Sequence, residues 1–176
     1  MAVVVCMGVF LQPDTALAYV TNGKKWPTTS VKYILSASLT STEKSIVSSA
    51  AAVWNADAAA WTLSSTTSSG VYNIWSKTSF SSQGMGSIPG ITETTTSGTS
   101  ITKCRSWFNT DYSWNASGVM NQSTGACDYK TVILHEFGHW IYLGHDSAHP
   151  TAVMWPNWTK KQALTTDDRN GLNAVY

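Results

Sequence analysis

The sequence predicts an α+β domain whose twisted sheet is mainly antiparallel or mixed. Short β-branched and aromatic segments alternate with longer segments of helical periodicity, and two capping boxes mark helix starts. Stretches rich in Ser, Gly and Thr separate these elements. The 176 residues suffice for one domain with a core, since a chain of about 150 residues buries roughly 70% of its unfolded surface.

The first strand and the first helix follow each other closely. Residues 31–37 are mostly apolar and predict a strand. Thr40 and Glu43 have the T-x-x-E spacing of a capping box, in which the two residues bond to each other's backbone N–H at a helix start. Apolar residues then recur at helical spacing from Ile46 to Trp61, which predicts a long amphipathic helix.

The middle of the chain is predicted to hold strands separated by loops. Residues 71–76 and 101–109 are rich in strand-forming residues. Residues 79–100 are rich in Ser, Gly and Thr and predict a loop with one short strand near 91–95.

Two further helices are predicted in the C-terminal third. Asp128 is suited to cap a helix that runs to about Trp140. Thr165 and Asp168 form a second box, T-x-x-D, which starts a short C-terminal helix.

The N-terminus has the pattern of a secretory signal. Residues 2–11 are an apolar run of suitable length, and Ala16 to Ala18 supply the small-x-small cleavage pattern. We therefore predict a signal peptide over residues 1–18, an extracellular domain over 19–176 and cleavage after Ala18. The alternative is that the apolar run is a buried first strand.

Secretion would also determine the expected state of the cysteines. Cys6 lies in the predicted signal, which leaves Cys104 and Cys127 as an even pair. In an oxidising compartment we expect them to form a disulfide worth about 3 kcal/mol. They lack CxxC spacing and are not expected to bind metal.

The charge balance excludes one class of partner. Eleven Lys and Arg against ten Asp and Glu give a net charge of +1, too little positive charge to hold a nucleic acid. No apolar run reaches the roughly 18 residues of a membrane span. We expect a monomer that meets protein or peptide substrates.

The strongest signal is His135-Glu136-Phe137-Gly138-His139, followed by His145. Histidines four residues apart share a helix face, so His135 and His139 can reach one cation. His145 follows Gly144 and the predicted helix end, so a turn could bring it to the same ion. Three protein ligands leave one coordination position for water, which is typical of a catalytic zinc.

Glu136 is the candidate general base. It is rotated about 100° around the helix axis from His135, so it can face a bound water without binding the metal. The alternative for His135 and His139 is a pair of core histidines, but three of the four histidines lie within eleven residues. His149 precedes Pro150 in a predicted loop and is interpreted as a surface residue.

The segment H-E-F-G-H-W-I-Y-L-G-H resembles the metzincin zinc signature H-E-x-x-H-x-x-G-x-x-H. The chain from about residue 20 to 176 resembles the matrixins, including bacterial secreted members. Residues 152–156 are similar to the family's Met-turn and 164–176 to its C-terminal helix. The resemblance implies a metzincin fold: a mixed sheet, a long N-terminal helix, an active-site helix, a Met-turn and a C-terminal helix. It places Met154 beneath the zinc ligands, and the alternative is an ordinary core methionine.

One residue departs from the signature: Tyr142 stands where the family has Gly. That Gly takes a positive φ at which the helix ends, a conformation that is costly for a bulky side chain. Either Tyr142 adopts the positive φ at a strain energy of about 1–2 kcal/mol, or the chain turns at Gly144 instead. If His145 were not a ligand, Asp146 would be the nearest substitute.

The rest of the chain limits the metal content. Few histidines and acidic residues lie outside the motif, so we expect one zinc ion and no structural calcium. No Glu follows Glu136, which excludes the gluzincin ligand set. Astacin-like and serralysin-like enzymes have a tyrosine ligand two residues after the methionine of the Met-turn. This chain has Pro156 at that position, so it lacks their tyrosine ligand.

The resemblance implies hydrolysis of internal peptide bonds, with a zinc-activated water and Glu136 as general base. The strand from Ile101 to Asn109 would be the edge strand that pairs with an extended substrate. Thr131, Val132 and the segment from Pro156 to Trp158 would wall a deep apolar pocket for Leu, Met or Phe after the scissile bond.

Two alternatives stay open. Trp155 and Trp158 could be ordinary core or surface aromatics. The domain could also bind zinc and hold extended peptides without cleaving them, although a recognition module has no use for a general base at Glu136.

Overall fold

The structure of the chain is a computed structural model that describes residues 21, 23–58, 61–81 and 84–176. The signal peptide predicted over residues 1–18 lies outside the described residues. Within these ranges, no helix has both the length and the apolar character needed to cross a bilayer.

The described residues form three α-helices and two sheets. The helices are α1 (Ser41–Asp57), α2 (Tyr129–Trp140) and α3 (Thr166–Val175). The strands are β1 (Ser30–Leu35), β2 (Thr62–Ser65), β3 (Ile74–Thr78), β4 (Gly90–Ser97), β5 (Ser100–Asn109), β6 (Ser113–Asn115) and β7 (Ala126–Asp128).

The main sheet has five strands in the order β2-β1-β3-β5-β4. The pairs β1–β2, β1–β3 and β3–β5 are parallel, and β4 runs antiparallel to β5. The sheet is therefore mixed and mainly parallel, so the mixed alternative is confirmed and the mainly antiparallel one is wrong. Strands β6 and β7 form a separate parallel pair.

Aromatic packing fixes α2 on this sheet. The ring centroid of Trp75 on β3 lies 4.9 Å from that of Phe137 and 6.1 Å from that of Trp140. The Trp54 indole of α1 donates a 3.1 Å hydrogen bond to the Leu134 carbonyl of α2. All these side chains are fully buried. Burial contributes roughly 1.5–3 kcal/mol for an apolar side chain of this size, so both β3 and α1 hold α2 in place.

The helix starts agree with the sequence. Thr40 and Glu43 form the predicted capping box of α1, and Thr165 and Asp168 form that of α3. Asp128 caps α2 through a hydrogen bond from the Thr131 N–H.

Several strands differ from the prediction. Strands β6 and β7 were not predicted, and β3 begins at Ile74 and not at residue 71. Strand β2 was not predicted, because Thr62–Ser65 carries only one buried residue, Leu63. It forms by parallel pairing with β1, from Ser30 opposite Thr62 to Tyr33 opposite Ser65. The Asn55 amide of α1 also bonds both the N–H and the carbonyl of Leu63. Strand β4 is longer than the short strand expected near 91–95, since its register with β5 extends from Gly90 to Ser97.

The predicted edge strand is a further correction. The strand from Ile101 to Asn109 lies inside β5, which is flanked by β3 and β4. Among the described strands, β2 and β4 form the two edges of the sheet, and β4 is the edge beside β5. Prediction from the sequence failed here because the side-chain pattern of a strand does not say which neighbours pair with it.

The predicted disulfide is also not formed, since Cys104 and Cys127 are both free, buried thiols. Cys104 belongs to the main core cluster, 3.5 Å from the Thr94 hydroxyl, whereas Cys127 lies on β7 outside that cluster. Burial raises the pKa of each thiol to about 12, which keeps both protonated.

Glu43 joins three elements through one buried carboxylate. Besides capping α1, it accepts 2.9 Å hydrogen bonds from Lys77 Nζ on β3 and a 2.8 Å bond from the Tyr129 hydroxyl on α2. Burial opposes its ionisation, but the bonds from the Thr40 N–H, Lys77 and Tyr129 outweigh that effect and lower the pKa of Glu43 below its ordinary value of 4.5.

We therefore expect Glu43→Gln to lower the free energy of unfolding at pH 7 by about 1–3 kcal/mol. A lowered pKa means that the ionised form stabilises the fold above about pH 4.5, and that this contribution is lost as the pH falls through the folded-state pKa. Urea denaturation of both proteins at pH 7 and pH 3 measures this. An equal difference at both pH values would contradict the account.

Candidate active site

A buried carboxylate fixes the start of the helix that carries the histidines. Asp128 accepts hydrogen bonds from the Thr131 N–H and hydroxyl at 2.9 and 2.8 Å. It also accepts from the Gly118 N–H and the Gln162 amide, both at 3.0 Å. The N-terminus of α2 is thereby tied to the chain before it and to the segment after the Met-turn.

Three imidazoles converge at the other end of α2. The ring centroids of His135, His139 and His145 lie 4.9–5.1 Å apart. One nitrogen atom from each ring lies within 4.8 Å of the other two. Nε2 of His135 is 3.1 Å from Nε2 of His145. The structure therefore brings all three predicted ligands to one point.

Backbone carbonyls orient two of these rings. Nδ1 of His135 lies 2.8 Å from the Val153 carbonyl, and Nδ1 of His139 lies 2.8 Å from the Leu143 carbonyl. A carbonyl only accepts, so each Nδ1 carries a hydrogen and Nε2 is the nitrogen that can bind a metal. Burial, followed by the neighbouring His139, lowers the pKa of His135 to about 3, and burial also lowers the pKa of His139. Both shifts favour the uncharged ring that a metal ligand requires.

The turn after α2 resolves the question raised by Tyr142. Its φ is +65°, and it is the one non-glycine residue of the described chain with a positive φ. The Tyr142 N–H bonds the His139 carbonyl and the Leu143 N–H bonds the Gly138 carbonyl, at 3.0 and 3.1 Å. These two bonds define a Schellman motif with tyrosine in the position that glycine favours. The helix ends there and not at Gly144, at a strain of about 1–2 kcal/mol.

Asp146 does not replace His145. Its carboxylate accepts hydrogen bonds from the N–H groups of Ala148 and His149 at 2.8 and 3.2 Å, and lies 2.7 Å from Nδ1 of His149. Asp167 lies beside this pair, and burial together with the Asp146 carboxylate raises its pKa. Asp146 thus shapes the loop that follows the third histidine, and His149 is partly exposed there.

Met154 lies directly under the histidine helix. It is buried, and a Cβ placed on Gly138 would overlap its sulfur atom. The helix backbone and the thioether therefore touch only because residue 138 has no side chain.

Asp168 of α3 holds the segment that contains Met154. Its two carboxylate oxygens accept the Val153 N–H at 2.9 and 3.0 Å. The Val153 carbonyl in turn orients His135. The C-terminal helix is thus connected to the first histidine through the backbone of one residue, Val153.

Glu136 faces the same space as the histidines. Its side chain is buried, and Oε2 accepts a 2.6 Å hydrogen bond from the Thr92 hydroxyl on β4. Burial raises the pKa of Glu136 to about 7, although the bond from Thr92 opposes this. A carboxyl group with such a pKa can take up and release a proton near neutral pH.

A cavity of about 360 Å³ opens over these groups. His135, Glu136, His139 and His145 line it. The predicted pocket residues line it too, namely Thr131, Val132, Pro156 and Trp158, together with Trp155 and Lys161. Trp155 and Trp158 are partly exposed, so neither is an ordinary core aromatic.

Sequence reasoning missed three residues of this site. Thr92 bonds Glu136, Gly138 admits Met154, and Gly90 allows β4 to approach α2, since a Cβ there would lie 2.6 Å from Val132 Cγ1. Only Gly138 gave a signal, because glycine inside a helix costs roughly 0.5–1 kcal/mol relative to alanine. The roles of Thr92 and Gly90 depend on the pairing of β4.

Known proteins are similar to parts of this chain. It is 39% identical over 77 residues, 41% of its length, to metalloendoproteinase 1 of Glycine max. It is 36% identical over 72 residues, 38% of its length, to metalloendoproteinase 2-MMP of Arabidopsis thaliana, and 35% over 75 residues, 39% of its length, to human matrix metalloproteinase-25. The matched segments span 25%, 19% and 13% of those proteins.

A match to the family described as matrixin extends over residues 25–176, most of the chain. That range contains the three histidines, Glu136 and Met154. The chain therefore belongs to the matrixin family.

Proposed function

We propose that this chain is a secreted, zinc-dependent endopeptidase with one catalytic ion. The observation that carries the proposal is the convergence of three imidazoles on one point, beside a buried carboxylate, in the wall of an open cavity. Membership of the matrixin family supports it. The apolar run at residues 2–11 and the small-x-small pattern at 16–18 support secretion.

The residues present fit a zinc ion. Two nitrogens that share a tetrahedral zinc at about 2.0–2.1 Å lie about 3.3 Å apart, close to the 3.1 Å between the Nε2 atoms of His135 and His145. Carbonyl partners on Nδ1, as on His135 and His139, are the usual outer contacts of zinc-binding histidines. We assign His135, His139 and His145 as the ligands.

A bound zinc ion supplies a water whose pKa is near 7 and polarises a carbonyl oxygen. Glu136 takes the proton from that water and later delivers it to the leaving amine, so no bond forms between enzyme and substrate. The Thr92 hydroxyl fixes Oε2, which leaves Oε1 for the proton. The hydrophobic packing of Met154 under α2 keeps the two helical ligands in place.

Strand β4 is the proposed path of the substrate. Among the strands that the structure describes, β4 pairs only with β5, and Gly90, Ile91 and Thr92 also line the cavity. Its free edge can therefore add an extended peptide as a further strand, through main-chain hydrogen bonds. This replaces β5 as the substrate strand expected from the sequence.

The wall of the cavity formed by Thr131, Val132, Pro156 and Trp158 is the proposed side-chain pocket. The Thr131 hydroxyl accepts the Lys161 N–H at 3.1 Å, which joins the two sides of the pocket. The small Thr131 leaves depth, and its hydroxyl is already bonded, so we propose a preference for Leu, Met or Phe.

We expect Glu136→Gln to lower kcat for casein by at least about a hundredfold while one zinc ion per chain stays bound, because glutamine cannot accept the proton. Casein hydrolysis with and without a zinc chelator, together with metal analysis of each protein, measures this. The matched control is Asp57→Asn, which also replaces a carboxylate by an amide but in the partly exposed ion pair with Arg169. We expect it to leave kcat within about twofold.

Proteolysis that survives both the chelator and the Glu136→Gln substitution contradicts the zinc mechanism. A zinc-loaded wild type that binds casein peptides without cleaving them would instead identify a recognition module.

We further expect cleavage of a random peptide library to show Leu, Met or Phe after the scissile bond. Trp158→Ala should relax this preference and lower kcat/KM for the leucine peptides about tenfold, because it removes one wall of the pocket. A preference for Asp or Glu would contradict the apolar pocket and would point to Lys161, which lines the same cavity.

A further inference from the structure

Residues 21 and 23–26 cross the end of α2 before β1 begins, and we call them the N-terminal strap. The strap meets the turn that carries His145 at three successive places. These are the Trp140 carbonyl, the Tyr142 ring and the Leu143 backbone. No function described above uses these contacts.

The strongest contact comes from Trp26. Its buried indole Nε1 donates a 2.7 Å hydrogen bond to the Trp140 carbonyl. The last four carbonyls of a helix have no partner within it. The Schellman bonds satisfy Gly138 and His139, and the Trp26 indole satisfies Trp140. The strap thus supplies a third partner for the carbonyls at the end of the active-site helix.

The other two contacts act on the residues between His139 and His145. Thr21 forms an antiparallel bridge with Leu143, whose carbonyl orients His139. Lys24 Nζ lies 5.4 Å from the centroid of the Tyr142 ring, within the range of a cation–π interaction. The residue with the strained backbone is therefore held by its side chain.

The strap itself is anchored to the main sheet. The Lys25 N–H bonds the Thr99 carbonyl at 3.1 Å, and the Lys25 carbonyl accepts the Ile101 N–H at 2.8 Å. Lys24 Nζ also donates to the Thr96 hydroxyl at 2.9 Å. These bonds attach the strap to the end of the β4–β5 hairpin. The turn after α2 is thus positioned against the sheet and not only against its own helix.

We propose that Trp26 and Lys24 are positioning residues for the zinc site, because they hold the Tyr142 turn in the left-handed conformation that brings His145 to His135 and His139. This inference rests on the proposed function, since it assumes that the three histidines bind zinc. In relatives with glycine at this position, the same turn would need less support. The dependence on the strap is therefore tied to Tyr142.

The test is the zinc affinity of the full chain, measured by competition with a chromophoric chelator, beside the Tm of each zinc-free protein. Trp26→Phe keeps an aromatic ring and removes the Nε1 donor, and we expect it to raise the zinc Kd about tenfold. The matched control is Trp114→Phe, since the Trp114 indole donates a 2.8 Å bond to the Asn109 carbonyl away from the turn. We expect this control to leave the zinc Kd within about twofold, whatever happens to Tm.

Rescue by glycine separates positioning from general stability. Tyr142→Gly removes the strain, so adding it to Trp26→Phe should restore most of the lost affinity. Lys24→Met keeps the aliphatic stem and should raise the zinc Kd about threefold. This partly exposed position also provides a test if Trp26→Phe does not fold.

The inference is overturned if Trp26→Phe leaves the zinc Kd unchanged, if Trp114→Phe shifts it equally, or if Tyr142→Gly rescues nothing. With Lys24→Met, an unchanged zinc Kd has the same meaning. A wild-type chain that binds no zinc would instead overturn the proposed function, which keeps the two failures distinct.

Discussion

The left-handed backbone at Tyr142 is the constraint on which the site depends. Without it α2 would continue, and His145 would lie about 9 Å beyond His139 along the helix axis, since each of the six steps along the chain between them adds a rise of 1.5 Å. With it, the chain turns back within three residues and His145 comes to 3.1 Å from His135. A bulky residue in this conformation persists only where its surroundings hold it, and the two Schellman bonds together with the N-terminal strap do so.

Hydrogen bonds to the backbone of single residues connect the remaining parts of the site to one another and to that turn. Asp168 holds the Val153 N–H while the Val153 carbonyl orients His135. The Leu143 carbonyl, one residue beyond Tyr142, orients His139. The Asp146 N–H bonds the Met154 carbonyl at 3.0 Å and joins the ligand turn to the Met-turn. Hydrogen bonds therefore join α2, the turn after it and the Met-turn into one arrangement.

Features encoded by neighbouring residues could be predicted from the sequence. The capping boxes at Thr40 and Thr165 and the histidine spacing on α2 each depend on contacts within one or two turns of helix. The two outcomes foreseen for Tyr142 were also local, and the structure takes one of them.

Features set by distant parts of the chain could not be predicted in the same way. Strand β2 forms because it pairs with β1, which comes before the whole of α1, and β4 is an edge strand because β5 lies between it and β3. The disulfide predicted between Cys104 and Cys127 is absent from the described structure for the same reason. An even number of cysteines does not by itself bring two sulfur atoms within bonding distance. The contact between Thr92 and Glu136 follows only once β4 is placed beside α2.

The central claim is that three histidines, one of them delivered by a strained tyrosine turn, bind a single zinc ion. Anomalous diffraction at the zinc edge from crystals of the zinc-loaded protein tests it most directly. The account predicts one peak about 2.0–2.1 Å from Nε2 of His135, His139 and His145, with Tyr142 still at positive φ. A peak bound by Asp146 in place of His145, or a helix that continues through Tyr142, would contradict it.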